Sequence, residues 1–270
     1  MVRSDFETRK LSVSKRIESM QISTQTSSLS TRIALRDCPT TAKWVRSPLD
    51  PAVFCEWHSW LTWEERLRVS GYRRREDQHL FVARRGLARE CIAREFSLEP
   101  QSIRLVSQPS GKLTWDTNDF YDVTTAIDLS VSRTSEAAAV VVCRTHDVGI
   151  DIERVADLPE IETLAFQNLH SVELDFWRSL PESSRLNSYY RLWVVKEAYV
   201  KALGIGLSLA PRNILAIEAI SNVRGKVESN LTTESARAGE FWLKRIGTER
   251  IVSVVALKRV TLKRSDNATS

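Results

Sequence analysis

Gly149-Ile150-Asp151-Ile152-Glu153 and, downstream, Trp193-Val194-Val195-Lys196-Glu197-Ala198-Tyr199-Val200-Lys201-Ala202-Leu203-Gly204 decide the reading of this chain. In the first stretch Val148, Ile150 and Ile152 alternate with Asp151 and Glu153, the pattern of a strand end whose two carboxylates point the same way. The second consists of good helix formers without proline and stops at Gly204, a residue suited to a left-handed cap. Trp193, Glu197 and Lys201 stand four apart, so one helix face carries an indole, a carboxylate and an ammonium in a column. If that column faces Asp151 and Glu153, three carboxylates and a lysine converge, which is repulsive unless a divalent cation sits among them. Hard oxygen ligands in that number suit Mg²⁺, which typically bridges carboxylates to a substrate phosphate. The chemistry implied is phosphoryl transfer.

Outward from these two stretches, helix and strand are mixed rather than regularly alternating. Ile103 to Val106, Ile127 to Val131, Ala137 to Cys143 and Val148 to Glu153 read as strands, and Phe241 to Ile246 with Ile251 to Leu257 as a hairpin turning at Gly247-Thr248. Ser70 to Phe96 reads as a helix with an apolar stripe of Leu80, Phe81, Ala83, Leu87, Cys91 and Ile92. Ile161 to Leu169, Ser171 to Leu180 and Tyr189 to Leu203 read as helices, with Ser171 as an N-cap and Glu173 complementing the dipole. Trp44, Trp57, Trp60 and Trp63 are placed in the core and at the start of a helix.

Residues 1–41 are rich in Ser, Thr, Arg and Gln without a sustained apolar period, and read as a disordered extension. Their Ser/Arg content resembles a transit peptide, against which Asp5, Glu7 and Glu18 count. Residues 263–270 read as a loose tail. The 270 residues suffice for one large domain or two small ones, and no apolar run approaches the length of a membrane span. The net charge of +5 suits a polyanionic ligand or an acidic partner without choosing between them. Cys38, Cys55, Cys91 and Cys143 are far apart and include no C-x-x-C pair, so reduced thiols in a cytoplasmic protein are expected.

The G-I-D-I-E strand and the W-x-x-K-E-A-x-x-K-x-x-G helix together resemble the 4′-phosphopantetheinyl transferase family, of the larger, surfactin-synthetase-activating kind. The resemblance implies an α+β fold of two similar halves related by a pseudo-twofold, residues 42–146 and 147–262, with the active site in the cleft between them. It implies Asp151 and Glu153 as Mg²⁺ ligands, and Glu197 as the third ligand or as the base that takes a proton, directly or through a water, from an incoming serine. It implies Lys196 and Lys201 as pyrophosphate contacts on coenzyme A, with Lys201 assisting the departing 3′,5′-ADP. The family's Ser-His-(Ser/Thr) turn is represented by Ser132-Arg133-Thr134, where Arg133 offers phosphate a permanent charge and a bidentate fork. Its Gly-Lys-Pro turn stands as Gly111-Lys112-Leu113, keeping Lys112. Arg85 and Arg89 match an arginine-bearing helix, Arg85 being matched to the nucleotide 3′-phosphate with Arg68 assisting.

The activity so implied is transfer of the phosphopantetheine arm of coenzyme A to a serine of an acyl or peptidyl carrier protein, by a monomer. The alternative is a non-catalytic binder of coenzyme A or carrier protein, favoured by the altered Ser132-Arg133 turn and the lost proline. Nucleic-acid binding through the arginine-rich helix is a third reading, with no reader motif or zinc spacing behind it.

Overall fold

The computed structural model describes residues 29–35, 38–109, 111–117, 127–229 and 237–259. In chain order these form β1 (Leu29–Leu35), β2 (Cys38–Arg46), α1 (Pro51–Ser59), α2 (Trp63–Ser70), α3 (Arg75–Phe96), β3 (Arg104–Ser107), β4 (Leu113–Asp116), β5 (Asp128–Arg133), β6 (Ala137–Cys143) and β7 (His146–Arg154). There follow α4 (Ile161–Asn168), α5 (Ser171–Ser179), α6 (Glu182–Leu203), β8 (Ile214–Leu215), β9 (Arg224–Ser229), β10 (Gly239–Ile246) and β11 (Arg250–Lys258).

The strands gather into two antiparallel sheets, β1-β2-β6-β5 and β7-β11-β10-β9-β8, with β3-β4 as a separate hairpin. Each large sheet carries one 22-residue helix, α3 on the first and α6 on the second. The stripe Leu80, Phe81, Ala83, Leu87, Cys91 and Ile92 is buried in the first core, against Ala138, Val140 and Val142. The second core packs Leu192, Val195, Ala198 and Tyr199 of α6 against Phe241, Leu243, Ile251 and Val255. A third cluster joins the two sheets through Ala137, Ala139 and Val141 on one side and Val148, Ile150, Ile152 and Val254 on the other. The alternation of β7 thus has a direct outcome: its even positions bury between the sheets, and its odd ones turn toward α6.

Several predicted boundaries move. The extension expected over 1–41 is only in part outside the described residues, because Leu29–Leu35 and Cys38–Arg46 pair with each other and β2 pairs with β6. The ladder to Ala137–Cys143 supplies long-range partners that no local pattern announces. The tail 263–270 lies outside the described residues. The predicted helix from Ser70 divides, since α2 ends at Ser70 with Gly71 as its cap and α3 starts at Arg75. Trp57 is buried, but Trp63 at the first turn of α2 is 73% exposed and belongs to no core. The N-cap of α5 is His170 rather than Ser171: its Nδ1 accepts from the Val172 N–H, while Glu173 accepts from the His170 N–H. α6 begins at Glu182, earlier than predicted, and ends as predicted on Gly204 at φ 70°. Among the described residues no helix is long and apolar enough to cross a membrane.

Candidate active site

Gly149 explains how β7 and α6 come together. A Cβ at this position would lie 1.8 Å from the Ala198 carbonyl oxygen and 2.6 Å from the Ala202 nitrogen, so the helix backbone rests directly on the strand. This contact brings the outward residues of the strand, Asp151 and Glu153, under the face of α6 that carries Glu197 and Lys201. The Lys201 ammonium donates to Asp151 Oδ1 at 2.6 Å and to Ser132 Oγ at 2.9 Å. Ser132 in turn donates to the same Asp151 oxygen at 2.8 Å. One residue of β5, one of β7 and one of α6 therefore close a triangle where the two sheets meet.

β5 meets β7 through side chains and not through a backbone ladder. Asp128, Ser130 and Ser132 alternate along β5, and all three reach the edge of β7 that β11 leaves open. Asp128 Oδ2 accepts from the Val148 N–H at 2.7 Å, and Ser130 Oγ from the Ile150 N–H at 3.2 Å. Otherwise these edge donors would be desolvated without a partner. Of these three, the sequence reading identified Ser132 alone. The period-2 spacing of polar residues in Asp128-Leu129-Ser130-Val131-Ser132 is the signal that could have found the other two.

The carboxylates crowd one another. Burial, and next the Asp151 charge, push the Glu153 carboxyl up to about 7, against an N–H donated by Trp193 that lowers it. Trp193, read from sequence mainly as packing, thus has a polar role as well. Glu197 is raised by burial and again by Asp151, with Lys201 opposing. The expected set of three metal-ligating carboxylates is not formed, since among the described residues no three Asp, Glu, His or Cys side chains stand close enough to hold an ion. The Lys201 ammonium takes Asp151 Oδ1 instead. The donors nevertheless fit a hard divalent cation: Asp151 is 3% exposed, its Oδ2 accepts no hydrogen bond, and two neighbouring carboxylates carry raised proton affinity.

The basic residues divide into those at the cleft and those spent elsewhere. Lys112, in the turn between β3 and β4, pairs with Asp128 at 2.7 Å and lies beside the C-terminus of α6, where a Cβ on Gly204 would be 3.8 Å from its Cδ. Arg133 is exposed at the end of β5, beside a pocket of about 410 Å³ that it lines with Arg74, Asp77 and Glu136. Arg68 is exposed and lies over the Phe81 ring.

Two expectations are corrected. Lys196 does not join Lys201: its side chain is fully buried, paired with Glu173 at 2.6 Å and donating to the carbonyls of Asn168, Pro211 and Ile214. A lysine with every proton committed inside the fold has none left for a phosphate. Arg85 is likewise engaged, with Glu65 at 3.3 Å and the Leu105 carbonyl at 3.3 Å, and Arg89 is buried against the same Glu65 at 2.7 Å. Arg84, one position earlier and not assigned from sequence, feels the charges of Arg133 and Arg68: burial, then the charge of Arg133, lowers its pKa, and its buried Nε has no hydrogen-bond partner.

Residues 147–255 match the sequence model of the 4′-phosphopantetheinyl transferase superfamily. The chain is similar to the 4′-phosphopantetheinyl transferase HetI of Nostoc, 27% identical over 55% of this chain and 61% of that one. It is also similar to the 4′-phosphopantetheinyl transferase gsp of Aneurinibacillus migulanus, 30% identical over 49% and 56%. A human relative, L-aminoadipate-semialdehyde dehydrogenase-phosphopantetheinyl transferase, is 26% identical over 53% of this chain and 48% of its own. The chain thus spans less than two thirds of the length of each of these relatives. The matched segment begins at β7 and contains the Asp151 strand, the whole of α6 and the Glu173–Lys196 pair. The likeness to the 4′-phosphopantetheinyl transferase superfamily thus rests on residues 147–255 and on relatives matched over about half of this chain.

Proposed function

We propose that this protein transfers the 4′-phosphopantetheine arm of coenzyme A to a serine hydroxyl of an acyl or peptidyl carrier protein, releasing 3′,5′-ADP. The observation that carries this reading is the Ser132–Asp151–Lys201 triangle flanked by Glu153 and Glu197, a site built from both halves of one chain. Because one chain supplies both walls of the cleft, a monomer is sufficient.

In this reading Asp151, Glu153 and Glu197 would hold Mg²⁺ once Lys201 yields Asp151 Oδ1, and the ion would neutralise pyrophosphate charge. Glu197 accepts the proton of the attacking serine, and the burial that raises its pKa makes it a stronger base than an exposed carboxylate. Lys201 holds a phosphate oxygen of the leaving group and supplies the positive charge that the departing 3′,5′-ADP requires. Ser132 fixes Lys201 and Asp151 relative to each other. Arg84, Arg133 and Arg68 form the basic corner that receives the nucleotide phosphates, and Lys112 stands at the near end of the cleft. Holding the two reactants in line supplies much of the acceleration, since effective molarities for well-oriented groups reach ~10⁵ M or more.

The test is incubation with coenzyme A, Mg²⁺ and a panel of apo carrier proteins, with mass spectrometry of the carriers. One added phosphopantetheine arm is expected, lost on Asp151→Ala and on chelation. Coenzyme A binding with no carrier modified would instead identify a non-catalytic binder.

A further inference from the structure

The lysine of the W-x-x-K-E stretch and the buried glutamate of α5 form a charged clamp remote from solvent. Lys196 and Glu173 are both fully buried, their charges 2.6 Å apart. Glu173 Oε1 accepts from the Ala216 N–H at 2.6 Å, and Oε2 from the His170 N–H at 2.9 Å. Lys196 Nζ donates to the Ile214 carbonyl at 2.6 Å, to Pro211 at 2.9 Å and to Asn168 at 3.2 Å. The end of α4, the cap of α5, the Pro211–Asn213 turn and β8 are thereby tied to a single point on α6. That point is the residue immediately before Glu197, about 100° around the helix from it. Buried ion pairs are seldom a gain in stability over apolar packing, so a fully satisfied one suggests a demand for orientation.

We propose that Lys196 is a positioning residue, which with Glu173 fixes the rotation of α6 so that Glu197 and Lys201 face β7, and which never touches coenzyme A. The proposal deepens the transferase reading and rests on it for its kinetic arm. Removing either charge leaves the other buried and unpaired, whereas replacing both by neutral groups removes that penalty. A misplacement of about 1 Å at the reacting groups can cost ~100-fold in rate.

Two measurements test it. In the wild-type protein, lysine acetylation read by mass spectrometry should leave Lys196 unmodified with and without coenzyme A and Mg²⁺, while Lys201, whose side chain is 30% exposed, reacts and is shielded by them. Labelling of Lys196 that coenzyme A suppresses overturns the proposal. Failure of coenzyme A to shield Lys201 would sink the transferase reading and leave the clamp standing. In the second, Lys196→Met should unfold the protein or lower kcat about 100-fold and weaken Mn²⁺ binding, with the KM for coenzyme A within about threefold. Glu173→Gln combined with Lys196→Met should restore folding by circular dichroism and Mn²⁺ affinity, and keep that KM. A folded double variant whose coenzyme A KM has risen tenfold or more refutes the clamp, because Lys196 would then be a substrate contact.

Discussion

Glu153 is where burial and charge work against each other most visibly. Its carboxyl titrates near 7 in the fold against an ordinary 4.5, because it is desolvated and faces Asp151. A raised acid pKa means the folded state binds the proton more tightly than the unfolded one, so stability from this group is fully present below about pH 4.5 and is lost as pH rises through about 7. In divalent-free buffer the melting temperature should therefore fall between about pH 5 and 7.5, and fall less in Glu153→Gln. Equal slopes in the two proteins would show that the group is not strained in this way. Adding Mg²⁺ should flatten the wild-type slope, since a bound cation favours the charged carboxylate. The placement of single residues was partly legible: Asp151, Glu153, Glu197 and Lys201 could be brought to one place by strand and helix periodicity. Lys196 and Arg85 could not, because one residue's difference in helical phase separates a cleft-facing cation from a buried one, and only tertiary packing sets the phase.

At the scale of elements, the contact of β7 with α6 depends on the absence of a side chain at Gly149. The glycine was read from sequence as part of a motif; its physical reason is the helix backbone lying against it. Gly149→Ala forces a methyl group into the Ala198 carbonyl, and the strand and helix must separate. A loss on the order of 3 kcal/mol is expected, visible as a lower urea midpoint, together with loss of the proposed transfer out of proportion to the folded fraction. A variant of wild-type stability would mean that the helix does not sit on the strand here. α5 shows why caps are hard to read locally. Ser171 fits the usual chemistry, yet the His170 ring accepts the bond, and Glu173 is drawn inward by Lys196, distant in sequence, rather than left to complement a dipole at the surface.

The whole molecule joins its two sheets by two different means side by side on one face of the first sheet, where Ser130 stands opposite Val141 and Ser132 opposite Ala139. Between the sheets the joint is apolar, through Ala139, Val141, Ile150 and Val254; on the cleft side it is the row Asp128, Ser130 and Ser132 against β7. The mixed helix-and-sheet architecture was legible through family resemblance, while β1 and β2 escaped because their pairing depends on β6, far along the chain. Asp128→Ala removes the acceptor of the Val148 N–H and of Lys112 together, and should destabilise by ~1–3 kcal/mol in chemical denaturation, whereas Ser130→Ala, with one neutral bond lost, should cost ~1 kcal/mol. Equal effects would argue that the charge at Asp128 is solvated rather than used.

That row has a consequence for how the protein breathes. The amides of Val148 and Ile150 are guarded by side-chain oxygens, which can rotate away without any ladder of strands being broken, whereas their neighbours on the β11 side need a sheet to come apart. In deuterated solvent these two protons should exchange ahead of the rest of β7 and slow when the cleft is filled, so that they serve as a built-in gauge of its opening.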